Sequence, residues 1–112
     1  MRAGGIHIHS GTTCTADASG HYYMGAVTSD PWTSIAYTSS SAGVTSGSVS
    51  VDTGALSSSL VGKAMIIHAF DGSRIACALL RDGVASTLSS GAFVPYFSYT
   101  GSLAVDPSRV VV

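Results

Sequence analysis

The sequence predicts an all-β fold, a sandwich or barrel of about seven short strands. Three observations carry that prediction. Short β-branched or alternating runs recur along the chain, Gly, Ser, Asp and Pro bound them, and helical 3.6-residue periodicity is hard to find.

In order, the predicted strands are Gly5–His9, Ser34–Thr38, Ser48–Asp52, Lys63–Ala69, Arg74–Leu80, Gly101–Val105 and Arg109–Val112. The first three rest on alternation. The fourth and fifth hold the longest apolar runs, and the turn Asp71-Gly72-Ser73 links them tightly. Asp106-Pro107-Ser108-Arg109 reads as a type I turn, with Pro presetting φ at its second position, and joins the last two strands in a hairpin. Between the fifth and sixth strands, residues 83–100 have the Ser/Gly/aromatic look of a join between units. Residues 1–82 therefore read as the body of the fold and 83–112 as a linker and hairpin, in one structural domain overall.

Composition narrows the function classes. At 112 residues the chain supports a modest core that a covalent staple would help. Charged residues are 10% against a usual value of about 25%, so solubility rests on Ser and Thr hydroxyls. Asn, Gln and Glu are absent, which removes any N-glycosylation acceptor and leaves hydroxyls for O-linked sugar. A net charge of -1 offers no basic footprint, so neither nucleic acid nor an anionic membrane is an expected partner. No apolar run approaches the ~18 residues of a membrane span. The opening MRAGGIHIH lacks the apolar region of a secretory signal, so any such signal has been removed or lies outside this sequence.

The chemistry concentrates in the four histidines: His7 and His9 as a His-x-His pair, His21 in GHYY, and His68 at the end of AMIIH. Alternate side chains on a strand share a face, so His7 and His9 point one way and Ile6 and Ile8 the other. Taken singly, each has an ordinary reading: the pair as the polar face of an exposed strand, His21 or His68 as a partly buried histidine. Taken together, four imidazoles with no thiolate or carboxylate suit copper. A serine hydrolase is not supported, because no G-x-S-x-G elbow is present.

The series GIHIH, Cys14, GHY and IIHAFDGSRIAC resembles, in the same order, the core motifs of the copper/zinc superoxide dismutase family. The resemblance covers roughly the first 80 residues and is weakest across the Ser-rich middle. It implies a Greek-key sandwich or barrel of the superoxide dismutase-like kind. It places His7, His9, His21 and His68 on the family's copper ligands, Arg74 on its anion-guiding arginine, and Cys14 and Cys77 on its disulfide. The implied reaction is disproportionation of superoxide in a two-step redox cycle, one superoxide reducing Cu(II) and a second reoxidising Cu(I), with the Arg74 guanidinium docking the anion.

Departures from the family pattern are equally specific. No histidine remains for the family's zinc site, so one copper per chain and no zinc are expected. Only residues 69–73 separate His68 from Arg74, where the family has a long electrostatic loop. These features resemble the copper-only branch, whose members often occur as tandem extracellular repeats. Without zinc, His21 needs another acceptor to hold it, and Asp17 and Asp30 are the nearby carboxylates.

Two cysteines allow one pairing, and a disulfide between them would contribute about 4 kcal/mol on the chain-entropy model; two buried free thiols are the alternative. A persistent disulfide points to an extracellular or secreted protein.

A structural role is the rival expectation. In the family the His-x-His strand is preceded by about three others, whereas here it begins the sequence, and FVPYFSYTGSLAVDPSRVVV resembles the opening strands of a copper-only repeat. The order is that of a permuted chain or of a window on a tandem array. A sandwich so composed would be completed by a neighbouring chain through strand exchange, making the protein a self-associating subunit of an extracellular polymer or filament with its copper site retained or vestigial. Phe93, Tyr96, Phe97 and Tyr99 suit packed interfaces and equally suit core filling. Trp32 reads as a loop anchor in the core.

Overall fold

Strand β1 (Arg2–His9) divides its length between two partners. Its first half pairs antiparallel with β2 (Ala36–Ser39), Arg2 opposite Ser39 and Gly5 opposite Ala36. Its second half pairs with β3 (Ala64–His68), Ile6 opposite Ile67 and His9 opposite Ala64. Next comes β4 (Arg74–Asp82), to which both β5 (Leu88–Ser90) and β6 (Val94–Pro95) are joined. The computed structural model describes residues 2–40, 45–48, 50–69, 71–82 and 88–100. Among these, the antiparallel sheet runs β2-β1-β3-β4-β5 and curls into a half-barrel, an all-β, barrel-like fold.

Alternation sorts the side chains into two layers. Ile6 and Ile8 of β1, Met65 and Ile67 of β3, and Ala76, Ala78 and Leu80 of β4 turn to one face, where Trp32 and Phe93 complete the main core. The opposite face carries Ala64, Ile66 and Cys77, and a second cluster forms there with Ala18 and Tyr96. Each large apolar side chain buried in this way contributes about 1.5–3 kcal/mol. Trp32, at 4% exposure, is the core anchor the sequence suggests. The C-terminal aromatics divide: Phe93 and Tyr96 are buried, while Phe97 is about half exposed.

Several boundaries differ from the sequence expectation. Ser34 and Ile35 close a turn, with the Ile35 N–H donating to the Trp32 carbonyl, so β2 starts at Ala36. No strand forms over Ser48–Asp52 among its described residues. Alternation alone is a poor guide there, because the described residues of the segment find no ladder partner: the backbone–backbone bond nearest to it runs from the Met24 N–H to the Thr53 carbonyl at 2.8 Å. A one-turn helix, α1 (Ser57–Leu60), was not anticipated. Residues 88–95, read as linker, supply β5 and β6 of the sheet. The predicted strands Gly101–Val105 and Arg109–Val112 and the turn between them lie outside the described residues.

Candidate metal centre

Three elements deliver the histidines. His7 and His9 leave β1 on the face opposite Ile6 and Ile8, and His68 leaves the end of β3 on that same face. His21 arrives from the loop after β1, which folds back so that His9 and His21 form an antiparallel bridge and the Tyr22 N–H donates to the Ile8 carbonyl. The disulfide between Cys14 and Cys77 ties this loop to β4 across a sequence separation of 63.

One ligand-capable nitrogen from each of His7, His9, His21 and His68 lies within 4.8 Å of all the others. His7, His9 and His68 are buried, and the His21 side chain is 22% exposed. Three of the rings are held by a second nitrogen. His7 Nε2 donates to the Ile35 carbonyl at 2.8 Å, and His9 Nδ1 donates to the Ser19 carbonyl at 2.9 Å. At His68 the Gly5 carbonyl favours the protonated ring. His21 Nδ1 meets Asp30 Oδ2 at 2.7 Å.

The carbonyl contacts fix the tautomers of His7 and His9. A carbonyl oxygen only accepts, so the ring nitrogen facing it carries the proton and the opposite nitrogen keeps a bare lone pair. Those opposite nitrogens, His7 Nδ1 and His9 Nε2, are buried and have no hydrogen-bond partner, and neither has the buried Nδ1 of His68. Burying an unsatisfied acceptor costs about 1–3 kcal/mol, and no proton among the pinned rings is left to relieve it. A Lewis acid is the partner such a set fits. Two donors across an ion with metal–nitrogen bonds near 2.0–2.1 Å stand about 4.2 Å apart, so closing the 4.8 Å spread needs about 0.3 Å from each.

Electrostatics agree with neutral rings. Burial pushes the pKa of His9 from 6.5 to about 4 against the opposing Ser19 carbonyl, and the charges of Arg74, His21 and His7 add to the fall. His68 is also lowered to about 4, first by burial and then by His7 and His9. His7 is lowered chiefly by burial. At Asp30 burial pushes the carboxyl up, but the Trp32 N–H and the His21 ring outweigh it and hold its pKa below the usual value.

The centre opens into a cleft of about 500 Å³ lined by the four histidines, Gly20, Asp30, Gly72 and Arg74. Arg74 reaches this cleft because the ladder between β3 and β4 shifts by one residue after Ile67. Its guanidinium is fixed at three points: Nη1 donates to Asp17 Oδ1 at 2.9 Å and to the Tyr96 hydroxyl at 3.1 Å, and Nη2 donates to the Ser19 carbonyl at 2.8 Å.

All four sequence-selected histidines are thus brought together, Arg74 stands at the same cleft, and Cys14 is bonded to Cys77. Of the two carboxylates considered for His21, Asp30 holds it and Asp17 pairs with Arg74 instead. The carbonyls of Gly5, Ser19 and Ile35 escaped the sequence reading, since backbone acceptors leave no signature in residue type. Tyr96 was noted only as an aromatic, yet its hydroxyl accepts from Arg74 and from the Ala18 N–H. Gly5 also belongs to the site, since a Cβ there would overlap the His7 ring. Among the described residues no helix is long and apolar enough to cross a membrane. Comparison with protein-family models, with characterised proteins and with solved structures finds no match, so the likeness to superoxide dismutases rests on the motifs around the four histidines.

Proposed function

We propose that this chain is a zinc-free copper centre of the superoxide dismutase kind, acting on superoxide outside the cell. The observation that carries the reading is the set of three buried imidazole nitrogens without a hydrogen-bond partner, those of His7 and His9 left bare by pinned tautomers. Four neutral imidazoles with no thiolate favour copper among the available divalent metals. Ring placement supports the choice. The His7–His9 and His21–His68 centroids are 6.4 and 6.3 Å apart, whereas the other four pairs fall between 4.4 and 5.3 Å. A tetrahedral set would make all six separations alike. Two long diagonals and four short sides describe a flattened arrangement, which suits Cu(II) better than zinc.

Copper bound there would supply one-electron exchange between Cu(II) and Cu(I). The chain's own contribution is orientation and charge. Asp30 holds the His21 ring by Nδ1, Gly5 leaves room for the His7 ring, and Arg74 offers a permanent cation at the mouth of the cleft. The disulfide suits an oxidising compartment, which supports the extracellular assignment.

Metal analysis with EPR tests the reading, with one type-2 copper per chain and no zinc as the expected result. Superoxide consumption should be lost in His68→Ala and kept in Ser50→Ala. A protein that refuses copper while retaining its fold would overturn the proposal.

The strand-exchange subunit is the second reading, and it draws on two edges: among the described residues β2 and β5 end the path of the sheet. Unpaired edges are templates for neighbouring strands. Electron microscopy showing fibres would favour it, and a monodisperse monomer on size exclusion would count against it.

A further inference from the structure

The loop between β1 and His21 contains a carboxylate that the copper reading leaves without a task. Two residues after Asp17, Ser19 lies in the left-handed region at φ 64, a conformation that costs a non-glycine residue energy unless something holds it. Asp17 Oδ1 is what holds it, accepting the Ser19 N–H at 2.8 Å. The same oxygen accepts from Arg74 Nη1 at 2.9 Å across 57 residues of sequence. The Ser19 carbonyl, set by that turn, then accepts from both His9 Nδ1 and Arg74 Nη2. One short loop thus positions a metal ligand and the guanidinium together.

Charge is the second half of the argument. Among the described residues, Arg74 is the one Arg or Lys lining the cleft, so it supplies the local attraction for an anion. Asp17 places a formal negative charge against it. Among the described residues, Asp17, Tyr96 and Ser19 engage three of the five guanidinium N–H donors, which leaves two for a ligand. The Asp17 side chain is 78% exposed and that of Arg74 is 31% exposed, so solvent screens the pair and the restraint it exerts is partial.

The geometry points to Asp17 as a positioning residue that restrains anion capture, aiming the Arg74 guanidinium into the cleft while cancelling part of its charge. This rests on the reading of the cleft as a copper centre for a small anion, and its test has one arm that needs no copper.

The variant is Asp17→Asn, which keeps an acceptor oxygen for Ser19 and Arg74 and removes the charge. Asp82→Asn, at the exposed far end of β4, makes the same change in net charge away from the cleft. In the metal-free protein, paired anionic and cationic nitroxide probes report the local potential at individual amide protons by NMR. Asp17→Asn should make the potential at the Gly20 and Gly72 amides more positive, and Asp82→Asn should leave both unchanged. In the copper-loaded protein, azide followed by its charge-transfer band should bind about 2- to 5-fold more tightly to Asp17→Asn than to wild type, the gap closing at 1 M salt. Equal potentials in the two variants, or weaker azide binding by Asp17→Asn, would overturn the proposal. Failure to load copper would overturn the functional reading and leave the nitroxide result to decide the role of Asp17.

Discussion

His68 and Arg74 stand opposite each other across β3 and β4 at the point where the ladder slips by one residue. One step earlier Ile67 faces Ala76, so Ile75 is the extra residue of a bulge and turns into the main core. An unbroken ladder would put Ile75 opposite His68 and send the guanidinium to the wrong face, because side chains alternate along a strand. The bulge re-aims Arg74 without moving His68.

A histidine retained for metal rather than for packing should be dispensable in the metal-free fold. His68→Leu removes a buried nitrogen without a hydrogen-bond partner and keeps similar bulk, so the metal-free protein should stay within about 1 kcal/mol of wild type or gain stability. Copper stoichiometry should fall to zero in the same variant. Denaturant melts of both metal-free proteins check this, and a large loss in His68→Leu would make the ring structural.

Acid should unfold the metal-free protein in a defined window. His9 and His68 take up protons at about 4 when folded and near 6.5 when unfolded. The unfolded chain therefore binds more protons between these values, and stability, complete above pH 6.5, falls as pH drops towards 4. The loss is on the order of 1–3 kcal/mol per ring. Bound copper should shift the loss to lower pH, because protons must then displace a ligated metal. Thermal melts from pH 7 to 4 with and without copper measure both effects.

Asp30 should matter to metal affinity although it is no ligand in this set. Its Oδ2 holds His21 Nδ1 while its Oδ1 accepts the Trp32 N–H, so one carboxylate fixes both the ring and the turn beside it. Asp30→Ala should weaken copper binding by about 10- to 100-fold. Competition against a chelator of known affinity gives the value, and unchanged binding would remove Asp30 from the centre.

Gly5→Ala tests the room reserved for His7. The added Cβ would overlap the His7 ring, while the backbone of β1 keeps its bonds to β2 and β3. The variant should fold with a normal β-sheet signature and lose type-2 copper.

What the sequence disclosed follows from how local each signal is. Ile6-His7-Ile8-His9 encodes its own sorting, since strand alternation alone sends rings and aliphatics to opposite faces, and the structure keeps that sorting. The apolar runs before His68 and after Arg74 likewise became β3 and β4. Ser48–Asp52 carried the same alternation without a partner to pair with, and pairing is a property of the neighbour. The Asp17–Arg74 contact was illegible for a related reason: it joins residues 57 apart through a turn whose conformation depends on one side-chain hydrogen bond.

Because β1 lends its odd-numbered rings to the centre and its even-numbered isoleucines to the core, the two cannot fail separately. A slip of a single residue against β3 would plunge His7 and His9 into oil and expose Ile6 and Ile8 to the cleft. Misfolded copies would then be unable to hold metal, and the quantity of bound copper in a sample would count its correctly threaded molecules.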